Sequence, residues 1–572
     1  MSEQNNEHLK LSEQHTKKTT WLWIFCALTI CIIIAYSNTI QSPFVYDDKI
    51  EVIGNETIRD WGKWKEIATY NPSRMILLFS YAYNFHLDQF HPPVYHQYNI
   101  AIHIFSFFSV FLMSERISTL FAKHNPKYLA LLISGIWALH PMTTESVTYI
   151  TGRSESLCLL FCSLSIGLWI HARLSSQWYF RVLSFLALIC ACLTKEVGFM
   201  TLFPLIYLET TYTKQSKKTA LWILPMVLLI FLGIATRFYV VQGENPDAEM
   251  LDLLTTKMLP REVDRPIHVQ LTTQSFVWIK YLGLWILPLQ QTIYHHVADI
   301  DIWTGFGIIT WLSWFLIFGG LFWKGKKDPA CLLAVICLFF YLLPSSSFAP
   351  LKEHMAEHRS LQFGLYVIAY IIWYINPKIQ TAGRILIPCM ILSMWTYQRN
   401  EVWKSEVLLW QEATSIHPEV GEAWYGLGDA LRFADRHEEA EKAFETSIQK
   451  DSKYWDAYNN LGLVRIQMND VEGAITAWEA LLKQNTSYCK AHNNLGLLAA
   501  RMGQWQDALR SFTSTLTYCP NNIIAHYGLG TIYYEAIPDK KRAIFHYEKL
   551  LYIKPNFEKS EEVRQRLLEL TW

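Results

Sequence analysis

Long runs without a charged residue dominate the chain up to about residue 398, and they predict a polytopic bundle of membrane-spanning helices. A spanning helix needs roughly 20 apolar residues, and fewer where protein surrounds it. By this criterion the sequence predicts about 11 spans, within a transmembrane domain at 19–398. The runs lie near 19–38, 98–114, 128–140, 156–172, 182–194, 197–208, 219–236, 302–323, 329–347, 360–377 and 385–398.

The orientation of the bundle follows from its basic loops, since lysine and arginine favour the cytoplasmic side. Residues 1–18 then form a cytoplasmic N-terminal tail. The basic loops lie at 116–127, 173–181, 214–218, 324–327 and 378–384. All of these are inside only if the further apolar segment at 271–290 does not cross, so we predict a re-entrant or interfacial segment there. The loops at 39–97 and 242–270, and the chain after 398, then face outward.

The chain after residue 398 is soluble in character and repetitive. Leu-Gly pairs recur at a period of 34, as Leu427-Gly428, Leu461-Gly462, Leu495-Gly496 and Leu529-Gly530. This spacing is typical of tetratricopeptide repeats, in which two antiparallel helices pack closely through small residues. The predicted segments are a partial repeat or linker at 399–420, repeats at 421–454, 455–488, 489–522 and 523–556, and a capping helix at 557–572. The predicted fold class is therefore all-α, a membrane bundle followed by an α-solenoid.

Composition adds little beyond this division. The chain has 50 basic and 50 acidic residues, which indicates no binding of nucleic acid. Its 11 cysteines suggest no disulfide framework, because most lie in apolar runs, where cysteine acts as a small buried hydrophobe. Cys489 and Cys519, in the tail, could pair in an oxidising compartment, but nothing in the sequence requires it.

Four polar clusters converge on the outer face in this topology. Such charges at a membrane edge are costly unless they are paired or functional. A carboxylate there can accept a proton from an attacking hydroxyl, and cations can neutralise a departing phosphate. The clusters are Asp47-Asp48; His140 to Glu145 with Arg153 and Glu155; Lys195-Glu196; and Lys352-Glu353-His354 with Glu357-His358-Arg359.

Plainer interpretations stay open for these residues. Asp47-Asp48 and Lys195-Glu196 could be ordinary interface or surface charges. His354 and His358, four residues apart, could share a helical face and bind a metal, although no third ligand is evident. No glycine-rich phosphate loop follows a strand, so a membrane-borne donor fits better than a soluble nucleotide.

The motifs of these clusters resemble a known family. They are Phe44-Val45-Tyr46-Asp47-Asp48, His140-Pro141 through Gly152-Arg153, Leu193-Thr194-Lys195-Glu196, and Met355-Ala356-Glu357-His358-Arg359 after Pro344-Ser345-Ser346. Together with the repeats, the chain resembles the transmembrane and tetratricopeptide-repeat O-mannosyltransferases and their bacterial relatives, which are multi-span GT-C glycosyltransferases. It departs from the family pattern at Glu155, where Asp is usual, and after Pro288, where Leu289-Gln290-Gln291 replaces an Asp-Tyr.

The resemblance implies inverting transfer of a sugar from a polyprenyl-phosphate donor to a protein or other hydroxyl acceptor, on the extracytoplasmic face. The repeats would bind the acceptor or a partner protein. The Met-Ala-Glu-His-Arg form resembles the bacterial relatives, so we expect the bacterial inner membrane, or the endoplasmic reticulum for a eukaryotic source. Expected roles are catalysis by Asp47 or Asp48, phosphate binding by Lys195, Arg153 and Arg359, and support from His140, Glu145, Glu196, Glu357 and His358.

Two questions stay open at this stage. No metal is required by these residues, although a divalent metal could assist the carboxylates. The alternative function is that of a non-catalytic, membrane-anchored repeat scaffold for envelope protein assembly. So many predicted spans exceed what anchoring needs, and the clustered charges favour the enzyme.

Overall fold

The computed structural model describes residues 20–212, 224–225, 228, 265–346, 353–379 and 381–571. It divides into two compact units between Leu409 and Trp410. The predicted cytoplasmic tail at 1–18, Lys352, nearly all of the predicted span at 219–236 and most of the loop at 242–270 lie outside the described residues.

The first unit is a bundle of apolar helices, and no strand occurs in the ranges given above. Every predicted span that lies on described residues coincides with helical structure, so the all-helical fold class is confirmed. The main helices are Thr20–Thr39, Pro92–Leu120, Pro126–Ala138, Arg153–Ser175, Tyr179–Cys192, Leu202–Tyr212, Ile267–Ile286, Gly305–Gly325, Pro329–Ser346, Leu361–Ile375 and Gly383–Asn400.

Four of these helices are long and apolar enough to cross a membrane by length and composition. They are Thr20–Thr39, Pro92–Leu120, Arg153–Ser175 and Gly305–Gly325. Tyr179–Cys192 and Pro329–Pro344 are shorter apolar helices. The protein is therefore a membrane protein, and the total of about 11 spans remains a prediction.

The segment predicted to be re-entrant is a continuous helix, Ile267–Ile286. It ends where Leu287 turns to an extended conformation, with φ −142° and ψ 99°. The next residue is Pro288, whose ring disfavours a helical conformation at the residue before it. The polar chain that follows, around Gln291 and His295, is thereby placed over the same side of the bundle as Glu357.

The loop at 39–97, predicted to face outward, folds into short helices around its own apolar core. The π-helical turn Lys49–Ile53 and the helices Trp64–Tyr70 and Met75–Asp88 form most of it. Its buried side chains pack against Ile150, from the loop that precedes Arg153–Ser175. The acidic pair after the first helix is consequently anchored to a structured loop.

The second unit is a stack of helical hairpins. Its helices are Gly421–Phe433, His437–Lys450, Trp455–Gln467, Val471–Gln484, Cys489–Arg501, Trp505–Tyr518, Ile523–Thr531, Lys540–Ile553 and Ser560–Thr571. Each repeated glycine faces an aromatic ring of its hairpin partner. A Cβ on Gly496 would lie 2.8 Å from Phe512, and one on Gly428 would lie 2.7 Å from Phe444, so only glycine allows this approach. Cys489 and Cys519, left open by the sequence, form a disulfide across the third hairpin.

Candidate functional site

Asp47 and Asp48 lie in a tight turn after the first apolar helix. Tyr46 has a left-handed φ of 49°, which is uncommon outside glycine. The N–H of Asp48 closes the turn by donating to the Val45 carbonyl at 3.0 Å. The Asp47 side chain is exposed, whereas Asp48 is only 1% exposed. The turn therefore sends the two neighbouring carboxylates into different surroundings.

Asp48 ties two loops together. Its Oδ1 accepts the N–H of Thr151 at 2.9 Å, and its Oδ2 accepts the N–H of Val45 at 3.2 Å. Burial raises the pKa of Asp48 to about 7, although these hydrogen bonds act in the opposite direction. Both carboxylate oxygens are occupied by the protein, so Asp48 has a structural position.

Asp47 faces the other clusters. Its N–H donates to the Tyr149 hydroxyl at 3.0 Å. Partial desolvation by the surrounding protein raises the pKa of Asp47, and the charge of Glu353 acts in the same direction. The Tyr149 hydroxyl opposes this rise. An exposed carboxylate with a raised pKa is a suitable proton acceptor.

His358 is held by Glu145. Its Nδ1 lies 2.7 Å from Glu145 Oε1, and its backbone N–H donates to Glu145 Oε2 at 3.0 Å. Burial raises the pKa of Glu145 to about 8, and the charge of Glu357 adds to the rise. Burial lowers the pKa of His358 to about 3, with Lys195 and Arg359 acting in the same direction. Both shifts indicate a neutral pair.

Glu357 belongs to a second carboxylate–imidazole pair. It accepts from Gln291 Nε2 and from the N–H of Thr292, each at 2.9 Å, and its Oε1 lies 2.9 Å from His295 Nε2. Burial alone would raise the pKa of Glu357, but the hydrogen bond and charge of His295, with Arg399, leave it below its ordinary value. Glu357 is thus the ionised partner of the neutral Glu145.

Two cations, Lys195 and Arg359, belong to the same site as the two carboxyl–imidazole pairs. Lys195 Nζ lies 2.5 Å from Glu155 Oε1, and both side chains are buried. Glu155 Oε2 has no hydrogen-bond partner within the described parts of the chain. Arg359 is half-buried, and its Nη1 donates to the Glu353 carbonyl at 2.9 Å. Glu196 is exposed next to Lys195.

Two predicted site residues have structural positions instead. Arg153 is fully buried, and its donors reach Asn99 at 2.6 Å, Ser80 at 3.1 Å and the Tyr95 carbonyl at 3.0 Å. The predicted contact of Arg153 with a phosphate is therefore not supported. His140 stacks on Trp285, with ring centroids 4.7 Å apart, and its Nδ1 accepts the Met142 N–H at 3.2 Å.

His354 and His358, which could share a metal by their spacing, have different partners in the structure. His354 Nε2 lies 2.8 Å from Asp299 Oδ1, whereas His358 turns to Glu145. Among the described residues, no group of three or more His, Cys, Asp and Glu side chains is arranged to hold a metal ion. A divalent metal that assists the carboxylates stays a prediction.

Sequence reasoning gave Tyr149 no role, although the structure places it against Asp47. It also missed Tyr46, whose hydroxyl donates to Glu353, and Glu406, which accepts the Tyr46 N–H at 3.3 Å and pairs with Lys49. Aromatic residues are common at membrane interfaces, so a tyrosine there carries little signal. Glu406 lies 357 positions from Lys49, and no local pattern joins them.

The comparisons with known proteins fit this architecture. The family model described as tetratricopeptide repeat matches residues 408–454, 425–488, 459–509 and 493–556. Among solved structures, the yeast Tom70 protein matches with 13% identity over 80% of this chain and 87% of that chain, at a TM-score of 0.26. A MamA structure matches with 22% identity over 27% of this chain and 83% of that chain, at 0.24.

Curated relatives match about three quarters of this chain. The Caenorhabditis elegans protein O-mannosyl-transferase F38B6.6 is 24% identical over 444 residues, which are 74% of this chain and 62% of the relative. Human protein O-mannosyl-transferase TMTC3 is 22% identical over 77% of this chain and 52% of its own length. This chain is thus a membrane protein with a tetratricopeptide-repeat unit. It is similar to curated proteins named protein O-mannosyl-transferases, and it spans 62% or less of the length of these two relatives.

Proposed function

We propose that this protein is an integral-membrane glycosyltransferase. It transfers a sugar from a polyprenyl-phosphate donor to a hydroxyl group of a protein or other acceptor, on the extracytoplasmic face of the membrane. The observation that carries the proposal is the exposed carboxylate of Asp47, which faces His358 and Glu353 beside the cations of the site. The names of the homologues support the same reaction class.

Asp47 accepts the proton of the acceptor hydroxyl in this mechanism. The hydroxyl oxygen attacks the anomeric carbon of the sugar, and the bond from that carbon to the phosphate oxygen breaks. The electron pair of this bond leaves with the polyprenyl phosphate. A single displacement inverts the anomeric configuration. General-base catalysis of this kind contributes about 10²–10⁴-fold to the rate.

Arg359, Lys195 and His358 stabilise the leaving phosphate in the proposal. Arg359 is half-buried and can present a planar fork of donors to phosphate oxygens. Lys195 Nζ pairs with Glu155, and its ammonium group has further N–H donors for a phosphate oxygen. His358 keeps a donor on the ring nitrogen that points away from Glu145. Charges fixed in a water-poor site stabilise a developing anion more than they would in water.

The repeat unit binds the acceptor or a partner protein in this proposal, and it lies on the outer side. The Cys489–Cys519 disulfide supports that side, because disulfides persist in oxidising compartments. We propose the bacterial inner membrane as the site of action, or the endoplasmic reticulum if the source is eukaryotic.

The test is a transfer assay with membranes that contain the full chain. Radiolabelled polyprenyl-phosphate mannose should label protein in a form released by β-elimination, whereas labelled nucleotide mannose should not do so once the lipid-linked pool is blocked. Membranes with the Glu56→Gln variant, in which an exposed carboxylate of the same loop is neutralised, should behave as wild type.

A lack of transfer from lipid-linked hexoses, together with unchanged protein glycosylation when the gene is deleted, would contradict the proposal. That result would favour the membrane-anchored scaffold. Mass spectrometry of glycoproteins with and without the gene supplies the second half of this comparison.

A further inference from the structure

Tyr149 is a buried residue that contacts Asp47. Its hydroxyl accepts the Asp47 N–H at 3.0 Å, and its side chain is only 3% exposed. The same hydroxyl lowers the pKa of Asp47 and so favours the charged form of its carboxylate. The phenol group thus contacts the backbone of the candidate base and favours the charged form of its side chain.

The Tyr149 ring is fixed on several sides. The Trp403 ring lies 5.6 Å from it and the His358 ring 6.4 Å from it, between centroids. Trp403 is itself 1% exposed. The chain on either side is also held, because Thr148 Oγ1 donates to Asn400 at 2.8 Å and the Thr151 N–H donates to Asp48. The ring cannot move away without breaking these contacts.

We propose that Tyr149 is a positioning residue for sugar transfer, which fixes the orientation of the Asp47 carboxylate without touching the substrate. This inference rests on the proposed function. Geometry of this kind matters because a misplacement of about 1 Å can cost about 100-fold in rate. Trp403 and Asn400 support Tyr149 and its loop from the segment that leads to the repeat unit.

The Tyr149 hydroxyl also affects the pH at which the Asp47 carboxylate becomes ionised and can accept a proton. The Tyr149 hydroxyl lowers the pKa of Asp47 against the rise caused by desolvation. Burial and the charges of Asp48 and Asp47 raise the pKa of Tyr149 well above its ordinary value, so the phenol stays protonated. Removal of the hydroxyl should therefore move the acid limb of the reaction to higher pH.

The test is the Tyr149→Phe variant of the full chain, assayed from pH 5 to pH 9 with polyprenyl-phosphate mannose. We expect kcat to fall about 10-fold, the KM for the donor to stay unchanged, and the acid limb of kcat to rise by about one pH unit. The matched control is Tyr81→Phe, because the Tyr81 hydroxyl donates to the Ile150 carbonyl at 3.3 Å, in the same loop. This control should keep the wild-type pH profile.

A second variant guards against misfolding. Site-specific 3-fluorotyrosine at position 149 keeps the shape of tyrosine and is a stronger hydrogen-bond donor, so it should move the acid limb to lower pH. An unchanged acid limb in both variants, or the same shift in Tyr81→Phe, would overturn the inference. The proposed function fails separately, if Asp47→Asn retains wild-type transfer.

Discussion

Glu145 and His358 form a carboxyl–imidazole pair in which one carboxyl group binds both the ring and the backbone of the histidine. Oε1 lies 2.7 Å from Nδ1, and Oε2 accepts the backbone N–H at 3.0 Å. Because burial raises the pKa of Glu145 to about 8, the carboxyl keeps its proton at neutral pH and donates it to Nδ1. The imidazole then carries its own hydrogen on Nε2, which faces away from Glu145.

The first prediction concerns the alkaline limb of activity. As the pH rises through about 8, Glu145 ionises and becomes a hydrogen-bond acceptor. The His358 ring then changes tautomer, so that its hydrogen lies on Nδ1 and Nε2 can no longer donate. Wild-type transfer should therefore fall above about pH 8. The Glu145→Gln variant should keep its activity there, because its amide still donates to Nδ1. Identical alkaline limbs in the two proteins would rule out this use of the pair.

The second prediction separates Asp48 from Asp47. The pKa of Asp48 is about 7 in the folded state and about 4 in the unfolded state, so the folded protein holds more protons between these values. The free energy of unfolding should therefore decrease as the pH rises from 4 to 7. The melting temperature in detergent should drop between pH 5 and pH 8 by about 2–4 °C more in wild type than in Asp48→Asn.

The matched control for this measurement is Glu56→Gln, in which an exposed carboxyl of the same loop becomes an amide. It should keep the wild-type pH dependence. If Asp48→Asn also kept that dependence, the assignment of the raised pKa to Asp48 would be wrong.

The third prediction distinguishes the structural role of Lys195 from its proposed role in binding the donor phosphate. Lys195→Met leaves the buried charge of Glu155 without its partner, which costs about 3–5 kcal/mol. The amount of folded protein recovered in detergent should fall. Adding Glu155→Gln should restore folding, since both charges are then gone. If Lys195 also binds the donor phosphate, the folded Lys195→Met/Glu155→Gln variant should have a KM for the donor at least tenfold above wild type. A wild-type KM in this variant would exclude that contact.

The fourth prediction concerns the tail disulfide. The full chain in denaturant should react with two more maleimide groups after reduction than before, because Cys489 and Cys519 are joined. The Cys489→Ser/Cys519→Ser variant should show no such gain. It should also lose about 2–4 kcal/mol of stability in the repeat unit, since the bond closes a separation of 30 residues. Absence of the gain in wild type would place the tail in a reducing compartment.

Much of the fold could be predicted because it depends on local periodicity. The 34-residue spacing is the length of one helical hairpin, within which Gly496 packs against Phe512, and the uncharged runs match the apolar interior of a membrane. The acidic pair was conspicuous for the same reason, since it follows a long uncharged run.

The division of labour within the site could not be predicted. The choice between Asp47 and Asp48 depends on the left-handed turn at Tyr46 and on a backbone N–H 103 residues away, at Thr151. The resemblance implied that Arg153 binds phosphate, but Arg153 is buried in the folded chain. Its burial depends on the core of the loop at 39–97, which forms only when the chain folds. Local sequence patterns do not predict hydrogen bonds between residues so far apart in the chain.

The central claim is that Asp47 accepts the proton of the acceptor hydroxyl, and one measurement tests it most directly. Transfer from polyprenyl-phosphate mannose should be compared among wild type, Asp47→Asn and Glu56→Gln, at equal amounts of folded protein in the membrane. The account predicts that Asp47→Asn loses at least about 100-fold in rate while Glu56→Gln stays at the wild-type level. A rate for Asp47→Asn within twofold of wild type would contradict it.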